Sequence, residues 1–77
     1  MMNIEDAFEV VGAELDRATS KFGPFNSAHE GYAVILEELD EAWDEIKRND
    51  QEAATREMIQ VAAMALRFLV DVGRGDG

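Results

Sequence analysis

The chain reads as an all-α domain: a three-helix protomer containing an antiparallel helical hairpin, completed into a bundle by oligomerisation. Three observations predict this. Apolar residues recur at steps of three and four along most of the sequence, the spacing of one helical face. The single proline and an adjacent glycine fall in one stretch, Lys21-Phe22-Gly23-Pro24-Phe25-Asn26, the one clear breaker. The last periodic segment is apolar on almost every side, which asks for more cover than two short helices can give.

The first helix is predicted over about residues 3–20. Ile4, Phe8, Val11, Leu15 and Ala18 form its apolar face, with Glu5 and Asp6 in the first turn and Arg17 and Lys21 at the end, as the helix dipole favours. Gly12 inside it costs roughly 1 kcal/mol relative to alanine and marks either the close approach of another helix or nothing. After the breaker, whose two aromatics read as core lids, Ser27-Ala28-His29-Glu30 has the form of a capping box, so the second helix runs over about residues 27–48. Its stripe is Tyr32, Ile35, Leu36, Leu39, Trp43 and Ile46. Glu38, Glu41 and Glu45 gather along one flank. Carboxylates on adjacent turns repel one another unless something positive sits between them. The two readings are a hard divalent cation with oxygen ligands, Mg²⁺ before Mn²⁺, and a solvated acidic face.

Asn49, with Glu52 three residues on, is the expected cap of a third helix over about residues 50–72. The connection is so short that helices two and three should be antiparallel neighbours. From Met58 to Val70 the strongly polar residues are Gln60 and Arg67, which share a narrow stripe with Glu57 and Asp71. The rest is apolar, so this helix is expected at the centre of an oligomer. Gly73 should stop it, with Arg74 to Gly77 frayed. No internal repeat is evident, and the heptad-like spacing is too short for an extended coiled coil.

Composition narrows the function classes. A chain of 77 residues makes one small domain with a thin core, and with no cysteine it has neither disulfides nor thiolate metal sites. What remains is oligomerisation, an oxygen-ligated metal, or both. A net charge of -10, with seven dispersed Lys and Arg, argues against a nucleic-acid polymer or an anionic membrane as partner. The start lacks the basic and apolar runs of a signal peptide, and the apolar stretch Val61 to Leu66 is far short of the ~20 residues of a membrane span. A soluble, cytoplasmic protein is expected.

Chemistry is concentrated in the hairpin. Glu38 and Glu41 are three apart on helix two, Glu57 and Gln60 three apart on helix three, and each pair presents two side chains on one face. On facing antiparallel helices the pairs converge, as metal sites in bundle cores do.

Glu37-Glu38-x-x-Glu41, fifteen residues, then Glu57-x-x-Gln60 resembles the E-E-x-x-E … E-x-x-D signature of the all-α nucleoside triphosphate pyrophosphohydrolases, the MazG-like group related to the dimeric dUTPases. The resemblance spans about residues 22–72 and includes the runs His29 to Glu38 and Gln60 to Ala65. It implies hydrolysis of a nucleoside triphosphate to the monophosphate and pyrophosphate, with Mg²⁺ (or Mn²⁺) as cofactor and a homodimer or homotetramer as the assembly. Glu38, Glu41 and Glu57 match metal ligands, and Glu37 matches either a further ligand or a carboxylate that orients water. Gln60 stands where the family pattern has Asp. Its amide oxygen can coordinate Mg²⁺ but is neutral and a poor base, which weakens metal binding and puts activity in question. The chain is shorter than many members, which often carry a fourth helix.

Other residues have two readings each. Arg67 contacts a phosphate or pairs with Asp71. Lys21 and Arg17 close over phosphates or are surface charge. His29 contacts a base or simply occupies a first turn. Trp43 serves core packing or an oligomer contact rather than base stacking, and Met58 and Met64 fill the core. The alternative function is a non-catalytic module that keeps this fold and binds nucleotide, metal or a protein partner.

Overall fold

The computed structural model describes residues 1–73; the stretch from Arg74 to Gly77, expected to fray, lies outside them. Three α-helices make the fold, α1 (Ile4–Lys21), α2 (Ala28–Lys47) and α3 (Gln51–Asp71), with no strand among the described residues. Each helix starts on a side-chain cap that satisfies an orphan backbone N–H. Asn3 Oδ1 accepts from the Asp6 amide at 2.8 Å, Ser27 Oγ from Glu30 at 3.1 Å and Asp50 Oδ1 from Ala53 at 3.0 Å.

Two caps differ from expectation. The Glu30 carboxylate accepts from the Asn26 amide at 2.6 Å, one residue before the cap itself. At the third helix the cap is Asp50, not Asn49. Asn49 closes α2 instead: at φ 61° it is left-handed, its N–H bonds Ile46 C=O at 3.0 Å, and the Asp50 N–H bonds Glu45 C=O at 3.1 Å. That is a Schellman ending, and asparagine is among the few residues that tolerate the conformation. One short segment thus ends α2 and begins α3. At the other end of α3, Val72 and Gly73 both donate to Phe68 C=O at 2.9 Å.

α3 is the shared element. α2 packs along it, α1 packs against it more briefly, and a cavity separates α1 from α2. The buried core is small: Ala18, Phe25, Ala63 and Met64, with Val11, Leu15, Val34 and Phe68 among those packed on it. Ala42 and Ala53 are buried as well. Gly31 lets α2 close on the Phe68 ring, where an added Cβ would lie 2.7 Å from Phe68 Cδ2. Gly12 has nothing within 4 Å of such a Cβ, so it marks no close approach.

α3 is turned opposite to its composition. Its polar stripe faces inward: Arg67 is 4% exposed, the Asp71 side chain is largely covered, and Glu57 and Gln60 are half-buried. Met58, Leu66, Leu69 and Val70 face outward. Met64 fills the core as expected, whereas Met58 does not. Phe25 is a core lid, and Phe22 is exposed. Trp43, at 56% exposed, is not in the core; Lys47 Nζ lies 5.6 Å from its ring centre. Among the described residues, no helix is long and apolar enough to cross a membrane.

Candidate metal site and its cavity

α2 presents Glu38 and Glu41 one turn apart, and α3 presents Glu57 to them. One carboxylate oxygen from each lies within 4.8 Å of the other two. Glu38 and Glu57 are half-buried and Glu41 is exposed. Two oxygens of this group, Glu38 Oε2 and Glu57 Oε2, are buried without a hydrogen-bond partner. A buried anionic oxygen with no partner is costly.

The electrostatics register that cost. Burial, then the charge of Glu41, holds the Glu38 carboxyl above the ordinary carboxylate value. Glu41 is also raised, first by its carboxyl–carboxyl contact with Glu57, then by burial and by the Glu57 charge. Glu37 is exposed and stands outside the three-oxygen group, but its charge adds to the raising of both Glu38 and Glu41. Among the described residues no Lys or Arg forms an ion pair with these three carboxylates. A divalent cation such as Mg²⁺ or Mn²⁺ fits that donor set and would give both orphaned oxygens a partner.

Glu38 also lines a cavity of about 430 Å³ between α1, the breaker loop, α2 and α3. Gln60 stands beside it, Phe25 and Met64 give apolar wall, and Arg17 and Arg67 are its two cationic side chains. Arg17 grips Glu14 through two hydrogen bonds, Nε to Oε1 at 3.0 Å and Nη2 to Oε2 at 2.6 Å, which hold the Glu14 carboxyl below its ordinary value. Arg67 donates to the Gly23 carbonyl, stacks 4.4 Å from the Phe25 ring centre and places Nε 3.9 Å from Asp71 Oδ2. The pairing with Asp71 is therefore present, and the same guanidinium both fastens the breaker loop and lines the cavity.

The remaining sequence candidates lie elsewhere. Lys21 Nζ sits 5.7 Å from the Phe22 ring centre and does not line the cavity. His29, exposed in the first turn of α2, borders a separate apolar groove with Tyr32 and Leu69. Sequence reasoning missed Glu14. Its only local signal was the three-residue spacing to Arg17; what places it at the cavity is the packing of α1 on α3, which periodicity does not reveal.

No protein-family model, no curated protein and no solved structure matches the chain.

Proposed function

We propose that the protein is a Mg²⁺-dependent nucleoside triphosphate pyrophosphohydrolase of the MazG-like kind, acting in the cytoplasm on NTP or dNTP. In this reading α2 and α3 form an antiparallel hairpin whose bundle is completed by self-association. The observation that carries it is the pair of orphaned oxygens, Glu38 Oε2 and Glu57 Oε2, the first of them on a residue that lines a cavity of about 430 Å³. That volume lies within the ~300 to 1,000 Å³ of small-molecule sites.

Glu38, Glu41 and Glu57 would hold the ion, with the Gln60 amide oxygen as a neutral fourth donor. A divalent cation supplies charge neutralisation for a polyphosphate and lowers the pKa of bound water. Glu37 would serve as a further ligand or would orient the attacking water. The water oxygen would bond the α-phosphorus as a carboxylate of the cluster takes its proton, the α–β anhydride bond would break, and pyrophosphate would leave. Arg67 acts on substrate through the loop it fastens, holding Phe25 against the cavity. Lys21 and His29 stand off the cavity and take no part in this reading.

Gln60 favours a second reading, a non-catalytic module binding nucleotide, metal or a protein partner, because a neutral amide stands where a carboxylate would complete the set. Pyrophosphate release from a panel of canonical and modified nucleoside triphosphates, with Mg²⁺ or Mn²⁺, separates the two. Release that disappears in Glu38→Gln and Glu41→Gln supports the enzyme. No release from any nucleotide, with metal binding intact, supports the module.

A further inference from the structure

A second groove, of about 360 Å³ between α1 and α3, shares Glu14, Arg17 and Gln60 with the cavity beside the carboxylates, so the two spaces meet at those three side chains. Val10, Ala13 and Ile59 give the groove an apolar lining, and Arg56 adds a second guanidinium. Arg56 and Gln60 are one turn apart on α3 and share a face, as Glu14 and Arg17 do on α1.

The charge of this groove runs against that of the chain, whose net charge is -10. Arg17 gives Nε and Nη2 to Glu14 and keeps Nη1 free of any hydrogen bond among the described residues. Arg56, unlike Arg17, Arg48 and Arg67, forms no ion pair among the described residues. Two guanidinium groups against the Glu14 carboxylate leave one net positive charge. Gln60 adds none, whereas an aspartate at that position would cancel it. The amide also has two kinds of atom to offer, its oxygen toward a cation at the carboxylates and its N–H toward an anion in the groove.

We infer that Arg17, Arg56 and the Gln60 amide form an anion subsite that takes the distal phosphate of a polyphosphate directly, with no metal ion between. That the polyphosphate is a nucleoside triphosphate with its α-phosphate at the carboxylates rests on the function proposed above. Guanidinium forks match phosphate oxygens in geometry as well as charge. Glu14 already holds the Arg17 side chain in place, so less conformational freedom is lost when the anion arrives. Gln60 thereby trades a stronger hold on the cation for a donor to the phosphate, which gives its departure from a carboxylate a physical reason.

Inorganic pyrophosphate, added to the whole chain in excess EDTA and followed by calorimetry, tests the subsite apart from metal and turnover. It should bind, and Arg17→Gln and Arg56→Gln should each weaken it about tenfold, the effect of losing a charged hydrogen-bond donor. Both arginines are exposed, so the variants should keep the parent's helical signal. Gln60→Asp should weaken metal-free pyrophosphate about as much while tightening Mg²⁺; a residue acting only at the ion would leave the first unmoved. Lys47→Gln, whose lysine pairs with Asp44, should bind as the parent does. A nucleoside triphosphate should lose affinity in Arg56→Gln and a nucleoside monophosphate should not. No metal-free binding at about 10 mM pyrophosphate, or binding untouched by both arginine substitutions, would overturn the subsite. A triphosphate indifferent to Arg56 would overturn the placement of the distal phosphate. Pyrophosphate binding that depends on Arg56 in a chain that hydrolyses no nucleotide would uphold the subsite and remove the hydrolase reading; hydrolysis without that dependence would do the reverse.

Discussion

Asp71 Oδ2 accepts the backbone N–H of Phe25 at 3.0 Å, joining the end of α3 to the breaker loop 46 positions earlier. The same carboxylate lies 3.9 Å from Arg67 Nε, and Arg67 in turn holds the Gly23 carbonyl and the Phe25 ring. The turn containing Pro24 is thus fastened by two side chains of one helical turn. Arg67→Met keeps the apolar stem but leaves Asp71 and the Gly23 carbonyl without their cation. Loss of one partner of a buried pair costs about 3 to 5 kcal/mol, so denaturant unfolding should show most of the stability gone. Arg67→Lys should recover only part of it, since a point charge cannot both stack and fork.

The carboxylate cluster predicts opposite responses to protons and to metal. Glu38 and Glu41 have raised values, so the folded chain keeps protons that the unfolded chain releases. The stability linked to them is fully present below the unfolded value, about 4.3, and is lost as pH rises through the raised folded values. Without divalent cations, the Tm of the parent relative to Glu38→Gln should therefore fall as pH rises above the ordinary carboxylate range. Mg²⁺ at about ten times its Kd should then raise the parent's Tm at neutral pH by about 5 to 10 °C and leave Glu38→Gln unmoved. A parent and variant that track each other across pH and Mg²⁺ would remove the basis for the site.

Asn49 and Asp50 can be told apart by substitution. Asp50→Ala removes the cap on the Ala53 amide and should cost about 1 kcal/mol. Asn49→Gly should be close to neutral, because glycine accepts φ 61° freely. Asn49→Ala should cost about 1 kcal/mol, as alanine keeps the Cβ but loses the short polar side chain that lets asparagine tolerate the left-handed conformation. Thermal melts of the three variants check the order, and a costly Asn49→Gly would mean that the asparagine side chain does the capping.

Gly31→Ala gains roughly 1 kcal/mol of helix propensity but drives a methyl into Phe68 and toward Phe25. Overpacking of this kind costs about 1 to 3 kcal/mol, so a net loss of about 1 kcal/mol is expected, with a lowered Tm. A Tm above the parent's would show that Phe68 yields readily.

The helices were legible because local rules set them. Periodicity placed all three, and Ser27 and Pro24 punctuated them correctly. Asn49 was misplaced by one position because an asparagine before an aspartate offers two capping residues, and only the left-handed turn assigns them. The meeting of Glu38 and Glu41 with Glu57 was legible for a related reason: a very short connection leaves facing helices little freedom of register. Arg67 was legible as a neighbour of Asp71, but its hold on Gly23 joins residues 44 apart, beyond any local pattern. Glu14 was invisible because the apolar face of α1 says which side packs inward but not which residues of the other helices and the breaker loop it will stand beside.

The buried alanines carry a consequence for the carboxylates. Ala42 follows Glu41 directly and Ala53 lies one turn before Glu57, and both are buried. Methyl groups at these points act as fixed spacers, so the gap the three carboxylates span is gauged by backbone proximity rather than by mobile side chains. A valine at position 42 would serve as a shim, parting the two helices and moving the cluster's fit from a small ion such as Mg²⁺ toward a larger one such as Ca²⁺.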